Sequence, residues 1–254
     1  MDNERTQTRN EIVIKDLVKD FGDVKAVNGL TLDIKKGELF GFLGPNGAGK
    51  TTTISILCGL LAPSAGSVHI GGLDVRQDMP KIKERIGVCP QEAAVFKFLT
   101  GRENIELFGN LYGMDKDALR ERTTELLSQA NFADAAGRKT KGYSGGMLRQ
   151  LNLLMALISD PEIVFLDEPT VGMDARARRR TWEYIASLKD QDKTVILTTH
   201  YIEEAQSLSD RVGIIDYGEL MDLGTPQELM GKHESQDLEA VFLKITGRRI
   251  AEGS

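Results

Sequence analysis

Cysteine is nearly absent: Cys58 and Cys89 are the two in 254 residues. They stand far apart, without metal-ligand spacing or histidine neighbours. Each lies in an apolar stretch, so both are expected to be reduced, buried thiols of a cytosolic protein. Long apolar runs are missing too. No stretch approaches the ~20 apolar residues that span a bilayer as a helix. The opening MDNERTQTRNE lacks the apolar centre of a secretion signal. Action at a membrane would therefore need spans from another chain. Excess positive charge is also lacking. A formal net charge of −6 offers no global field to a polyanion, so no nucleic-acid partner is expected. The basic cluster Arg176, Arg178, Arg179 and Arg180 reads as a solvated helix face. Internal repeats and low-complexity tracts are absent.

What is present suits one large α/β domain, with 41% hydrophobic and 28% charged residues, enough for a core beneath a charged surface. Short β-branched runs predict strands at 12–14, 30–34, 38–43, 67–70, 86–89, 163–166 and 194–198. A hairpin is predicted at 211–215 and 219–223 around Asp216-Tyr217-Gly218. From about 100 to 142 the texture is helical. Ile105, Phe108, Leu111 and Tyr112 recur at helical spacing in one segment, and Leu119, Leu126, Leu127 and Ala130 in the next. This predicts a helical subdomain, about 92–160, inserted in a single domain of 11–247 between a flexible tail at 1–10 and a C-terminal tail at 248–254. A last amphipathic helix carries Leu238, Val241, Phe242 and Ile245.

Gly44-Pro45-Asn46-Gly47-Ala48-Gly49-Lys50-Thr51 fits the spacing of a phosphate loop between a strand and a helix. The glycines let consecutive N–H groups turn inward on an anion, and the following helix, predicted over 50–60, adds its positive end. Lys50 can reach the β- and γ-phosphates, Thr51 can ligate Mg²⁺, and Thr52 can bond the α-phosphate. This pattern binds a nucleoside triphosphate.

The apolar run at 163–166 ends in Asp167-Glu168. Adjacent strand residues face opposite sides, which predicts different tasks for the two carboxylates. Asp167 fits a partner of hydrated Mg²⁺, and Glu168 fits a general base for the attacking water. An acid pair opening a turn into Pro169 is the plainer alternative, and the phosphate loop outweighs it.

Tyr143-Ser144-Gly145-Gly146-Met147, shortly before that pair, resembles the signature of ABC ATPases, with Tyr143 and Met147 in place of the commoner Leu and Gln. Gln91 resembles the Q-loop glutamine, Val171-Gly172-Met173-Asp174 the D-loop, and His200 the switch histidine, in the family's order. The resemblance implies a P-loop NTPase of ABC-ATPase type: a RecA-like core, an antiparallel β subdomain and an inserted helical subdomain. It implies ATP hydrolysis with ATP and Mg²⁺ as cofactors, Gln91 serving the metal and its water, and His200 the γ-phosphate. Ser144, Gly145 and Gly146 head a helix predicted to run from Leu148 to Ile158, so Ser144 should cap it. By resemblance, those N–H groups meet ATP held by a second copy. Two cassettes, identical or related, would sandwich two ATP molecules head to tail.

Phe21 occupies the place of an adenine-stacking aromatic; the sequence leaves stacking and core packing both open. Many relatives carry Arg where Gln150 and Met155 stand, and whether Arg149 supplies those contacts is left open. Ala93-Ala94-Val95-Phe96-Lys97-Phe98-Leu99 is expected mostly to fill the helical subdomain's core. The resemblance adds that the stretch borders a groove for a polytopic membrane subunit. That implies a peripheral protein at the cytoplasmic face of the membrane, cytoplasmic when free. The runs at 224–229 and 237–243 resemble exporters of the multidrug or daunorubicin-resistance type. The rivals are a non-transport ABC ATPase acting on ribosomes or DNA, and a P-loop kinase. The first lacks its usual second cassette or long coiled coil here, and the second leaves the signature unexplained.

Overall fold

Apolar side chains alternate with polar ones along the first segments, and the chain folds there as a half-buried hairpin. Ile12, Ile14 and Leu17 bury themselves against Leu30, Leu32 and Ile34 of the paired strand. The computed structural model describes residues 10–92 and 94–247. The tails expected at 1–10 and 248–254 lie outside the described residues, apart from Asn10, which begins the first strand. In chain order the elements are β1 (Asn10–Phe21), β2 (Val24–Lys35), β3 (Leu39–Leu43), α1 (Lys50–Leu57), β4 (Ala65–Ile70), β5 (Leu73–Asp74), α2 (Met79–Lys83) and β6 (Ile86–Cys89). Four helices follow: α3 (Gly101–Leu111), α4 (Lys116–Gln129), α5 (Ala133–Ala136) and α6 (Gly145–Ala156). The remainder is β7 (Ile163–Asp167), α7 (Ala175–Ser187), β8 (Thr194–Thr199), α8 (Ile202–Leu208), β9 (Arg211–Asp216), β10 (Glu219–Gly224), α9 (Pro226–Lys232) and α10 (Leu238–Thr246).

Two sheets result. The antiparallel sheet has the order β2-β1-β4-β5, and the larger one β10-β9-β3-β8-β7-β6. Within the larger sheet only the β9–β10 pair is antiparallel. Every residue of β3, β7 and β8 is buried, which explains their unbroken apolar runs: both faces of such a sheet are covered. The parallel strands end on one side, and the loops leaving their C-terminal ends carry the site.

The inserted helices pack Ile105, Leu119, Leu126 and Leu127 against Leu151 and Leu154 of α6. Some expectations need correction. Leu111 and Tyr112, predicted on the packed face of α3, are exposed, because they lie at and just beyond its C-terminus and point past the core. Phe96 and Phe98 do not fill the subdomain's core; they are 54% and 80% exposed. Residues 94–99 run without regular structure along the surface, and among the described residues of the segment Val95 alone of the apolar side chains packs against the core. β1 extends well beyond 12–14, since its charged distal half, in which Leu17 alone is buried, is held by ladder bonds to β2. α1 stops at Leu57, and Gly59 turns the chain with φ of 70°. No helix among the described residues is long and apolar enough to cross a membrane.

Candidate functional site

β3 runs into the glycine loop and α1 leaves it. Glycine is forced at two points: a Cβ on Gly44 would run into the Ile215 carbonyl oxygen, and one on Gly49 into that of Ala26. Gly49 also has φ of 99°, which side-chain-bearing residues rarely adopt. Ala48 is buried, with its N–H bonded to the Pro45 carbonyl, while Asn46 and Gly47 stand exposed at the mouth. Lys50 folds back beneath the loop, 4% exposed, and donates to the carbonyls of Gly44 (2.6 Å) and Pro45 (3.0 Å). Burial holds its pKa below the ordinary lysine value, against the opposing charges of Glu168 and Asp167. Thr51 is exposed at the start of α1 and Thr52 half-buried.

The acid pair lies opposite. β7 pairs in parallel with β8, Asp167 beside Thr198. The Thr198 hydroxyl donates to Asp167 Oδ1, and the Thr51 hydroxyl reaches the same oxygen at 3.2 Å. Glu168 then leaves the strand with φ of 49°, a left-handed conformation that a non-glycine residue holds only when its surroundings impose it. Its N–H is held there by Thr198, donating to the hydroxyl at 3.0 Å and to the carbonyl at 3.2 Å. The two carboxylates are separated by this backbone turn as well as by strand alternation.

Three groups converge on the Glu168 carboxylate. Oε1 lies 3.1 Å from His200 Nδ1 and 3.8 Å from Lys50 Nζ, and Oε2 accepts from Gln91 Nε2 at 3.3 Å. Burial pushes the carboxyl up, but the His200 hydrogen bond and charge, then Lys50 and Arg149, outweigh it and hold the pKa below the usual value. A cavity of about 970 Å³ opens over Glu168, Gln91 and His200, lined also by Asn46 and Asp174 among others, spacious for a small-molecule site.

Other candidate residues lie apart from this cluster. Phe21, at the end of β1, is 48% exposed with Lys19 Nζ 5.0 Å from its ring centroid, so core packing is excluded. Ser144 caps α6 through the Met147 N–H at 3.3 Å. Among the described residues, no hydrogen bond joins Ser144, Gly145 or Gly146 to the phosphate loop or the acid pair. The helix begins at Gly145 itself, earlier than the expected Leu148. Sequence reasoning missed Thr198, whose hydroxyl serves both carboxylate residues, and the partners of Arg149. Its guanidinium donates to the carbonyls of Pro90 and Gln91, and Asn152 adds a bond to Pro90 at 3.0 Å. Arg149 thus ties α6 to the loop bearing Gln91. Of the basic cluster, Arg176, Arg179 and Arg180 are exposed as expected and Arg178 is half-buried.

A glycine loop between a buried strand and a helix, facing an acid pair on another strand of the same parallel sheet, defines a P-loop nucleoside triphosphatase. Residues 27–171 match the ABC transporter family. The chain is 42% identical to the daunorubicin/doxorubicin resistance ATP-binding protein DrrA of Streptomyces peucetius, over 97% of this chain and 75% of that one. It is 40% identical to the linearmycin resistance ATP-binding protein LnrL of Bacillus subtilis, over 86% of this chain and 70% of that one. Its fold matches a dimeric ATP-binding cassette in a post-hydrolysis state bound to ADP and Pi, with TM-score 0.77 and 27% identity over 84% of this chain and 98% of the other. The chain belongs to the ABC transporter family, as an ATP-binding, ATP-hydrolysing subunit.

Proposed function

We propose that the chain hydrolyses Mg-ATP between two cassettes and drives export through a separate polytopic membrane subunit, working from the cytoplasmic face. The observation that carries the chemistry is the convergence of Lys50, Gln91 and His200 on one buried carboxylate, at 3.8, 3.3 and 3.1 Å. N–H groups of the loop tip at 46–49 and the Lys50 ammonium bind the β- and γ-phosphates. Thr52 bonds the α-phosphate, and Phe21 stacks on adenine.

The oxygen donors support magnesium. Among the described residues no group of three or more His, Cys, Asp or Glu could hold a metal alone. A hydroxyl and a carboxylate 3.2 Å apart suit an ion that keeps waters and completes its shell with phosphate oxygens. Thr51, Gln91 and Asp167 would hold it. Bound there, it neutralises phosphate charge and polarises the γ-phosphoryl group. The Glu168 carboxylate takes a proton from water as the water oxygen attacks the γ-phosphorus. The bond from the γ-phosphorus to the bridging oxygen breaks, leaving ADP and inorganic phosphate, while His200 orients the water and contacts the γ-phosphate.

Head-to-tail pairing is supported by the separation of the signature from the chain's own phosphate loop: Ser144, Gly145 and Gly146 are free to complete a second copy's site, with the helix start offering N–H groups to its γ-phosphate. Phe21→Ala is expected to weaken ATP binding by ~1–3 kcal/mol, the value of one stacked base, measured by calorimetric titration. Unaltered affinity would remove Phe21 from the site.

The export direction follows the drug-resistance relatives. The exposed Phe96 and Phe98, a few residues after Gln91 in the chain, supply the apolar surface that docking needs. Purification from membranes tests the assignment: a polytopic partner should be recovered, and the double variant Phe96→Ser, Phe98→Ser should lose it. Recovery of ribosomes or DNA without such a partner would overturn transport.

A further inference from the structure

Glu204 is a carboxylic acid that the chemistry above does not use, and none of it reaches solvent. A buried ionisable group is costly unless it is bonded or neutral. Its Oε1 accepts two hydrogen bonds, from the Thr170 hydroxyl at 2.7 Å and the Trp182 indole N–H at 2.8 Å. Its Oε2 has no hydrogen-bond partner among the described residues. Burial pushes the carboxyl up, against the lowering pull of the Thr199, Thr170 and Trp182 side chains and the charge of His200.

The placement of the partners gives these bonds their meaning. Thr170 lies in the loop just after Glu168, and Glu204 lies in α8, one turn beyond His200. The two chain segments start side by side, Asp167 paired with Thr198. Both then leave the sheet, and their side chains meet where Glu168 Oε1 and His200 Nδ1 stand 3.1 Å apart. The Thr170–Glu204 bond is the next tie beyond that meeting point, so the pair is held from both ends. α7 closes the third side. Trp182 bonds Glu204, and Arg178, one helical turn earlier, lies 5.8 Å from the Trp182 ring and 5.2 Å from that of Tyr201. Tyr201 packs on the His200 ring with centroids 4.2 Å apart.

We propose that Glu204 is a positioning residue for ATP hydrolysis: by joining the loop after Glu168 to the helix after His200, it sets the geometry of that pair. The inference rests on the roles assigned above to Glu168 and His200. An aliphatic side chain would fill the same space without orienting either segment, and this separates positioning from packing.

Two variants make the test. Glu204→Gln keeps a neutral acceptor for Thr170 and Trp182, whereas Glu204→Leu fills the volume and accepts nothing. Glu204→Leu is expected to lower kcat about tenfold or more with KM for ATP within about twofold, while Glu204→Gln stays within about threefold of the parent. Parental kcat in Glu204→Leu, or equal losses in both variants, would overturn the proposal. A second measurement needs no turnover. In nitrogen-15 spectra, Trp182 is the one tryptophan of the chain, so its indole signal is unambiguous. That signal and the His200 ring signals should move in Glu204→Leu, and the His200 signals should stay in place in Glu204→Gln. A His200 ring unmoved in Glu204→Leu refutes positioning. An inactive parent whose His200 signals respond as stated would instead count against the assigned hydrolysis and leave positioning standing. If Glu204→Leu does not fold, Thr170→Val removes one donor and carries the same expectation of reduced kcat, kept KM and a moved His200 signal. Its failure to show them overturns the proposal equally.

Discussion

Glu168→Gln is expected to reduce ATP turnover by ~10²–10⁴, the usual loss when a general base is removed, while ATP stays bound and an ATP-loaded dimer accumulates. The amide matches the carboxylate in shape, so the left-handed turn and its bond to Thr198 should persist. It cannot take a proton from water. The parent carboxyl is held below its usual pKa by His200, Lys50 and Arg149 despite burial, so it is ionised and ready throughout the neutral range. Phosphate release measures the rate, and size-exclusion chromatography with and without ATP measures the dimer. Undiminished turnover would show that another group activates the water.

Lys50→Ala is expected to act one step earlier, on binding itself. The ammonium is buried beneath the loop with two carbonyls and a carboxylate around it, and no other side chain of the loop carries positive charge. Losing two charge-assisted bonds to phosphate, each about 1.5–3 kcal/mol, weakens ATP binding by roughly 10²–10⁴. Titration with a fluorescent ATP analogue in the presence of magnesium reads this directly. Unchanged affinity would place the triphosphate elsewhere. The two variants should therefore differ in kind, one binding without cutting and the other failing to bind.

The phosphate loop was legible in the sequence because its requirement is local: glycines that must turn, a lysine that must follow, a strand before and a helix after. The acid pair was legible for the same reason, and alternation along a strand suggested its division of labour. The left-handed turn at Glu168 was not, since it depends on Thr198 across the sheet, and register between distant parallel strands leaves no mark on a single segment. The partners of Arg149 escaped for a similar reason, since its carbonyl acceptors are contributed by a loop far away in sequence. The apolar run after Gln91 shows the opposite failure. Hydrophobicity counted Phe96 and Phe98 as core, but which way a residue faces in an irregular segment follows from the packing of α3 and α6 around it. At the end of α3 the helical period was read correctly, yet Leu111 and Tyr112 overrun the body they were expected to cover.

Arg149 and Asn152 grip the carbonyls at the exit of β6, and those grips have a mechanical consequence. The middle of α6 and the segment bearing Gln91 are tied together by them. Moving that segment without moving α6 would break the bonds that Arg149 and Asn152 make to it.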